Sequence, residues 1–216
     1  TVEVREGLED FFSIIGHQDE LDGHGPSNNV FVTNKTVNFT GELQPDNSAL
    51  KNADLTFVWG IQGPTNLSTS EHESSIFTQN ITVVGVYRIT LNITANLTEY
   101  GFVRAGTITK EINLKAPVKS VLFTGNTFVE NGSLFRLNVT WDGSSAFIFC
   151  HYFSTNKSDH GCFDSGIVLD VSTYSFSRYL DVNGTMYVNM GIRNDVSQVM
   201  KTVKITVYKG MFLYFL

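Results

Sequence analysis

Basic residues are scarce in this 216-residue chain: Lys and Arg number 15 against 21 Asp and Glu, a net charge of −6. A nucleic-acid-binding surface needs a basic stripe to displace counterions, so no nucleic-acid partner is expected. Charge of either sign is thin, at 17%, while hydrophobic residues make up 42%. That balance excludes a disordered tail and leaves enough apolar material for one large core or two small ones. No apolar run approaches the ~20 residues that cross a bilayer as a helix. Thr1 to Glu9 is charged and does not read as a signal peptide, so any such segment is expected to have been removed already. Catalytic signatures are also missing: no Gly-x-Ser-x-Gly elbow, no His-Glu-x-x-His and no Gly-rich phosphate loop. Ser158, Asp159 and His160 are neighbours in sequence only, whereas a triad converges in space. Glu71, His72 and Glu73 lie in a polar stretch and read as solvated. No enzyme, no catalytic residue and no cofactor is expected.

Cysteine is confined to Cys150 and Cys162. Two cysteines at close spacing read as a disulfide in an oxidising compartment. The competing zinc site would add His151 and His160. Cys150 and His151 are adjacent, however, and adjacent strand residues point to opposite faces, which suits joint ligation poorly. Free thiols are the third option. His17, Asp19, Glu20, Asp22 and His24 crowd together in what reads as a linker, without the spacing of a calcium loop. They are expected to be solvated, and no metal site is predicted.

What the chain does have is β-sheet composition, with 17 Phe, 8 Tyr and abundant Thr and Val. It also has 18 Asn, 22 Thr and 18 Ser. Chance would place about 3 of those asparagines in the Asn-x-Ser/Thr glycosylation triplet. Ten are found there: Asn34, Asn38, Asn66, Asn80, Asn92, Asn96, Asn131, Asn138, Asn156 and Asn183, none followed by Pro. Their parity is informative. Tyr87, Ile89, Leu91 and Ile93 alternate with Arg88, Thr90, Asn92 and Thr94, so on a strand Asn92 stands opposite to the apolar set. Val37 and Phe39 flank Asn38, and Leu137 and Val139 flank Asn138, in the same way. Sugar acceptors on the solvent face point to a secreted or lumenal chain.

The patterns come twice. Val37-Asn38-Phe39-Thr40 recurs as Leu137-Asn138-Val139-Thr140. Tyr87, Ile89, Leu91 and Ile93 recur as Met186, Val188, Met190 and Ile192, each strand preceded by a glycine, Gly85 or Gly184. Leu55, Phe57 and Trp59 have a weaker echo in Phe147, Phe149 and His151. Two copies of short alternating strands are the signature of two sandwiches. Strands are predicted near 29–33, 36–43, 54–61, 75–82, 86–95 and 105–114, then 119–123, 133–141, 146–153, 166–171, 173–179, 185–193 and 199–208. Pro117 has no N–H for a ladder, so the boundary falls at Ala116-Pro117. The domains expected are a linker or short helix over 1–28, a sandwich over 29–115 and a disulfide-bearing sandwich over 116–210. Leu8, Phe11, Phe12 and Ile15 at helical spacing suggest the helix, and 16–28 reads as polar linker. Residues 211–216 are all apolar and are either the start of a membrane helix or a frayed tail.

Gly85-Val86-Tyr87-Arg88-Ile89-Thr90-Leu91-Asn92-Ile93 resembles the Gly-x-Tyr-x-Val-x-Leu-x-Val strand of the PKD (polycystic-kidney-disease) domain. Ile192-Arg193-Asn194-Asp195-Val196-Ser197 resembles that family's strand exit. Phe57-Val58-Trp59-Gly60 falls where the family has Trp-Asp-Phe-Gly-Asp-Gly, here without the acids, and His151 stands at the Trp position of the second copy. The combination of a standard copy with a Cys-bearing one is similar to the ectodomains of the PMEL/GPNMB group. The resemblance implies an all-β chain of two tandem immunoglobulin-like (PKD-type) β-sandwiches, and a single-pass membrane glycoprotein whose membrane helix follows residue 210.

Phe147, Phe149, Tyr152 and Phe153 fill both faces of one predicted strand. One set either packs beneath the Cys150–Cys162 loop or is exposed as an interaction patch. The resulting expectation is a spacer and adhesion-type module with a protein partner. The alternative is a carbohydrate-binding accessory module of a secreted protein, with a glycan as partner. A fibril-forming lumenal protein ranks behind both, since no low-complexity repeat is present.

Overall fold

The computed structural model describes residues 7–19, 29–44, 50, 53–64, 70–71, 74–97, 102–157 and 162–210. The described residues up to Lys115 form one compact unit and those from Ala116 onward a second. The first unit contains β1 (Phe12–His17), β2 (Val30–Val32), β3 (Lys35–Leu43), β4 (Asp54–Gln62), β5 (Ser70–Glu71), β6 (Ile76–Ile81), β7 (Gly85–Leu97) and β8 (Phe102–Lys115). The second contains β9 (Lys119–Thr124), β10 (Phe128–Glu130), β11 (Leu134–Asp142), β12 (Phe147–Ser154), β13 (Ile167–Leu169), β14 (Thr173–Tyr179), β15 (Gly184–Asn194) and β16 (Ser197–Tyr208).

Both units share one topology. In the first, a three-stranded sheet β1-β3-β6 accompanies a five-stranded sheet β2-β8-β7-β4-β5. In the second, the orders are β9-β11-β14 and β10-β16-β15-β12-β13. Every described pairing is antiparallel except β2 on β8 and β10 on β16. The opening strand of each unit therefore divides, giving its first half to one sheet and its second half to the other.

Period-two alternation builds these strands. On β11, Phe135, Leu137, Val139 and Trp141 are buried and the residues between them exposed. Side chains on successive strand positions face opposite ways, so one face of each sheet is apolar and closes on its partner. The first core gathers Val37, Phe39, Trp59, Tyr87, Ile89, Leu91 and Ile112, and the second gathers Phe135, Leu137, Val139, Phe149, Val188, Met190 and Ile205. Each such side chain contributes about 1.5–3 kcal/mol by leaving water.

The segment before residue 28 departs from expectation. Among its described residues only Leu8–Phe11 is helical, as one 3-10 turn, and Phe12–His17 is a strand. Phe12 and Ile14 are both buried, and the strand pairs with β3 from Phe12 opposite Leu43 to His17 opposite Asn38. The helical spacing of Leu8, Phe11, Phe12 and Ile15 was outweighed by the alternation of Phe12 and Ile14 beside an open sheet edge. Gly16 and His17, expected in a linker, belong to that strand.

The ladders confirm the internal repeat. Phe57 lies opposite Ile93 as Phe149 lies opposite Ile192, and Trp59 opposite Leu91 as His151 opposite Met190. At Trp59 the copies exchange bulk. Trp59 is fully buried, and a Cβ on Gly41 would stand 3.6 Å from its Cζ2 and 2.7 Å from Leu91 Cδ2. In the second unit Trp141 occupies the Gly41 position, and the smaller His151 occupies that of Trp59. The indole has moved across the sandwich, stacking on Phe149 with ring centroids 5.7 Å apart.

Two polar devices lock strand ends. Tyr87, at the start of β7, donates its hydroxyl to Val83 O at 3.0 Å, the tyrosine-corner arrangement of immunoglobulin-like sandwiches. In the second unit Asn194 and Ser197 are buried at the β15–β16 turn. Asn194 Nδ2 donates to Ala116 O (2.9 Å) and Ser144 O (3.1 Å), while its Oδ1 accepts from Val196 N and Ser197 Oγ. Val118 N donates to Ser197 Oγ at 2.7 Å. The Asn-x-Val-Ser stretch thus pins the opening of its own unit.

Candidate functional site: acceptor asparagines, disulfide and seam groove

Eight of the ten triplet asparagines are exposed: Asn34, Asn38, Asn80, Asn92, Asn96, Asn138, Asn156 and Asn183. Asn131 is half-buried, and Asn66 lies outside the described residues. Those on strands oppose the core. Asn92 sits between fully buried Leu91 and Ile93, and Asn138 between fully buried Leu137 and Val139. Cross-strand threonines orient two of them: Thr78 Oγ1 donates to Asn38 Oδ1 at 2.9 Å, and Thr107 Oγ1 to Asn92 Oδ1 at 2.8 Å. Both bonds use the carbonyl and leave the amide nitrogen, the atom that carries a sugar, toward solvent. Asn131 Nδ2 donates to Asn183 Oδ1 at 2.9 Å, so these two acceptors touch.

Cys150 and Cys162 form a disulfide with S–S 2.05 Å and Cα–Cα 5.7 Å across 12 positions. Neither sulfur is a thiolate, so the zinc and free-thiol alternatives fall. His160 lies outside the described residues, as do Ser158 and Asp159. Cys150 faces away from the core of the second unit and lies opposite Gly191 on β15. A Cβ on Gly191 would stand 2.8 Å from the Phe163 ring and 3.0 Å from Cys150 Sγ. The missing side chain at 191 is what lets the bridge and Phe163 lie flat on the sheet, with the Arg193 guanidinium 4.9 Å above the Phe163 ring. Among the described residues no group of three His, Cys, Asp or Glu is placed to hold a metal. His17 and Asp19 are exposed, and Glu20, Asp22, His24, His72 and Glu73 fall outside the described residues.

The four aromatics on β12 do not make a patch, and most do not lie beneath the bridged loop. Phe147 (2% exposed) and Phe149 (0%) face the core between the sheets, where Trp141 of β11 packs against both and Tyr174 of β14 against Phe149. Phe153, on the same side, is half-buried between Phe135 and the Arg178 guanidinium, which stands 4.9 Å from its ring. Tyr152 is half-buried on the opposite face, the one that carries Cys150. His151 belongs to the inner row and stacks on Phe176 at 4.0 Å. Burial there pushes its imidazole pKa below the usual histidine value, favouring the neutral ring.

A feature the sequence reading missed lies at the seam where the opening strand of the second unit changes sheets. Phe128 (57% exposed) and Tyr208 (39%) stack with centroids 4.5 Å apart. They line a groove of about 540 Å³ shared with Asn126, Glu130, Arg136 and Asn138. The available signal was the repeat: Phe128-Val129-Glu130 holds the ladder positions of Val30-Phe31-Val32, predicted as a strand in the first copy.

These features define a protein of two tandem immunoglobulin-like β-sandwiches. No protein-family model matches the chain, and no curated protein matches it. Solved structures match in fold. The chain is similar to the ICAM-5 D1–D4 ectodomain fragment, with 11% identity, TM-score 0.56, and coverage of 93% of this chain and 54% of that one. Weaker matches include the titin I-band fragment I67–I69 (9% identity, TM-score 0.43, 92% of this chain and 66% of that) and Dpr11 IG1 bound to DIP-gamma IG+IG2 (12%, 0.39, 91% and 98%). Such identities show the fold alone, and the chain spans about half the length of the ICAM-5 fragment.

Proposed function

We propose that the chain is a non-enzymatic extracellular or lumenal glycoprotein module, serving as spacer and protein-interaction surface. The acceptor array carries this reading. Asparagines of the glycosylation triplet stand on the outer faces while their strand neighbours fill the cores, an arrangement that leaves the acceptor amides accessible to glycosyl transfer. The disulfide supports the same oxidising compartment. The ICAM-5 fragment is itself an ectodomain fragment. The finer reading, anchorage by a membrane helix beyond residue 210, rests on the resemblance to PKD-bearing PMEL/GPNMB ectodomains, among them the smaller transmembrane protein 130. Among the described residues no helix is long and apolar enough to cross a membrane, and residues 211–216 lie outside them. Expression in a secreting eukaryotic cell tests the proposal: the purified chain should lose mass on treatment with a glycan-releasing amidase. An unchanged mass would refute it.

The exposed Phe128–Tyr208 stack favours a second reading, a carbohydrate-binding module. Binding to a glycan array that is lost on replacing Phe128 would support it.

A further inference from the structure

We infer that the seam groove of the second unit is the seat of the chain's own glycan, the one attached at Asn138. The inference rests on the glycoprotein reading above. In the first unit a side chain caps the same seam. Gln18 Nε2 donates to Val32 O at 2.9 Å, and Val32 N donates to Gln18 Oε1 at 2.7 Å, so the side chain caps the free edge of β2. Glu130 holds the Val32 position in the second unit, pairing with Tyr208 as Val32 pairs with Lys115. Among the described residues no side chain caps its backbone N–H, and the groove of about 540 Å³ lies there instead.

The walls suit a pyranose. A sugar ring has an apolar C–H face and a rim of hydroxyls, and an aromatic face with its negative quadrupole complements the former. Phe128 and Tyr208 supply that face, while Arg136 and Asn126 supply planar polar groups for the rim. Asn138 lines the groove itself, is exposed, and begins the triplet Asn138-Val139-Thr140. A saccharide tethered at the rim has a millimolar effective concentration in the groove, which decides between the attached glycan and a free one. Asn38, the counterpart of Asn138 in the first unit, has a capped seam beside it, and its glycan should stand free.

The test compares native trimming by an endoglycosidase at Asn38 and Asn138, read site by site from glycopeptides of the full secreted chain. Packing on a stacked aromatic pair corresponds to about a three- to tenfold slower release at Asn138. In Phe128→Ser/Tyr208→Ser the Asn138 rate should rise to that of Asn38. In the unaltered protein the acetyl methyl protons of the Asn138 glycan should also show upfield ring-current shifts, absent in the double variant. Both replaced residues are exposed, and the methyl shifts do not depend on the variant folding. Unperturbed methyl shifts, or an Asn138 rate indifferent to the double substitution, would overturn the inference. So would a free oligosaccharide that binds the groove equally with and without the Asn138 glycan. An unmodified Asn138 beside glycosylated neighbours overturns this inference alone, whereas a chain with no glycans overturns the glycoprotein reading as well.

Discussion

The exchange of bulk between Gly41 and Trp59 can be tested by adding a single methyl group. In Gly41→Ala the new Cβ meets Leu91 Cδ2 at 2.7 Å, Trp59 Cζ2 at 3.6 Å and Phe57 Cδ1 at 3.8 Å. Carbon atoms pack comfortably at about 3.5–4.0 Å, so only the Leu91 contact is a clash, and it requires a shift of nearly 1 Å. Leu91 and Trp59 are both fully buried and lie opposite each other on β7 and β4, so Leu91 has no free space to enter. Overpacking of this kind costs about 1–3 kcal/mol. The φ of Gly41 is not positive, so alanine recovers about 0.4–1 kcal/mol through the unfolded state. The net expectation is a loss of about 1–2 kcal/mol in the first unit. Trp59→His, which installs the residue found in the second copy, should cost about 3 kcal/mol or more through the cavity it leaves. Together the two should fall short of additivity by at least about 1 kcal/mol, because histidine vacates the space that alanine needs. Hydrogen exchange of peptides from β3, β4 and β7, followed by mass spectrometry, reports all three variants without relying on tryptophan emission. Full additivity, or a Gly41→Ala protein as stable as the parent, would refute the assignment of these positions as a compensating pair.

Three further outcomes follow from the second unit. Cys150→Ser/Cys162→Ser should lose about 3 kcal/mol by the loop-entropy argument, read as a lower urea midpoint for that unit alone. His151 has a lowered folded pKa, so the unfolded state binds the proton more readily; stability is complete above pH 6.5 and declines as pH falls below it. Thermal melts of His151→Phe should show a shallower fall over that window, and an unchanged pH slope would contradict the burial argument. Asn194→Ala should cost about 2–4 kcal/mol, because it leaves the buried Val196 N–H and Ser197 hydroxyl without their acceptor and takes a donor from Ala116 O and Ser144 O; a neutral variant by chemical denaturation would remove the turn from the account.

Most of this fold could be read by parity. Tyr87, Ile89, Leu91 and Ile93 alternate so regularly that strand, buried face and exposed Asn92 follow together, and the repeat carries the pattern to residues 186–192. The N-terminal strand was harder, because Leu8, Phe11, Phe12 and Ile15 fit a helix as well as a sheet in a window of eight residues. The counterpart of β1 in the second copy, Lys119–Thr124, was predicted correctly, and subtracting the repeat would have exposed β1. The β12 aromatics misled for another reason. Aromatic residues on both faces suggested a surplus, but sequence does not reveal that β12 is an interior strand with its inner row enclosed. The groove was invisible because it depends on where a strand leaves one sheet and on a glutamine, Gln18, present at one seam and without an equivalent at the other.

Glycopeptide mapping of the chain secreted from a eukaryotic cell, resolved to individual asparagines, tests the central claim most directly. The account predicts sugar on the outward strand positions Asn38, Asn92 and Asn138, with Cys150 and Cys162 recovered as a linked pair. Bare asparagines at all three, with both cysteines alkylated as free thiols, would contradict it.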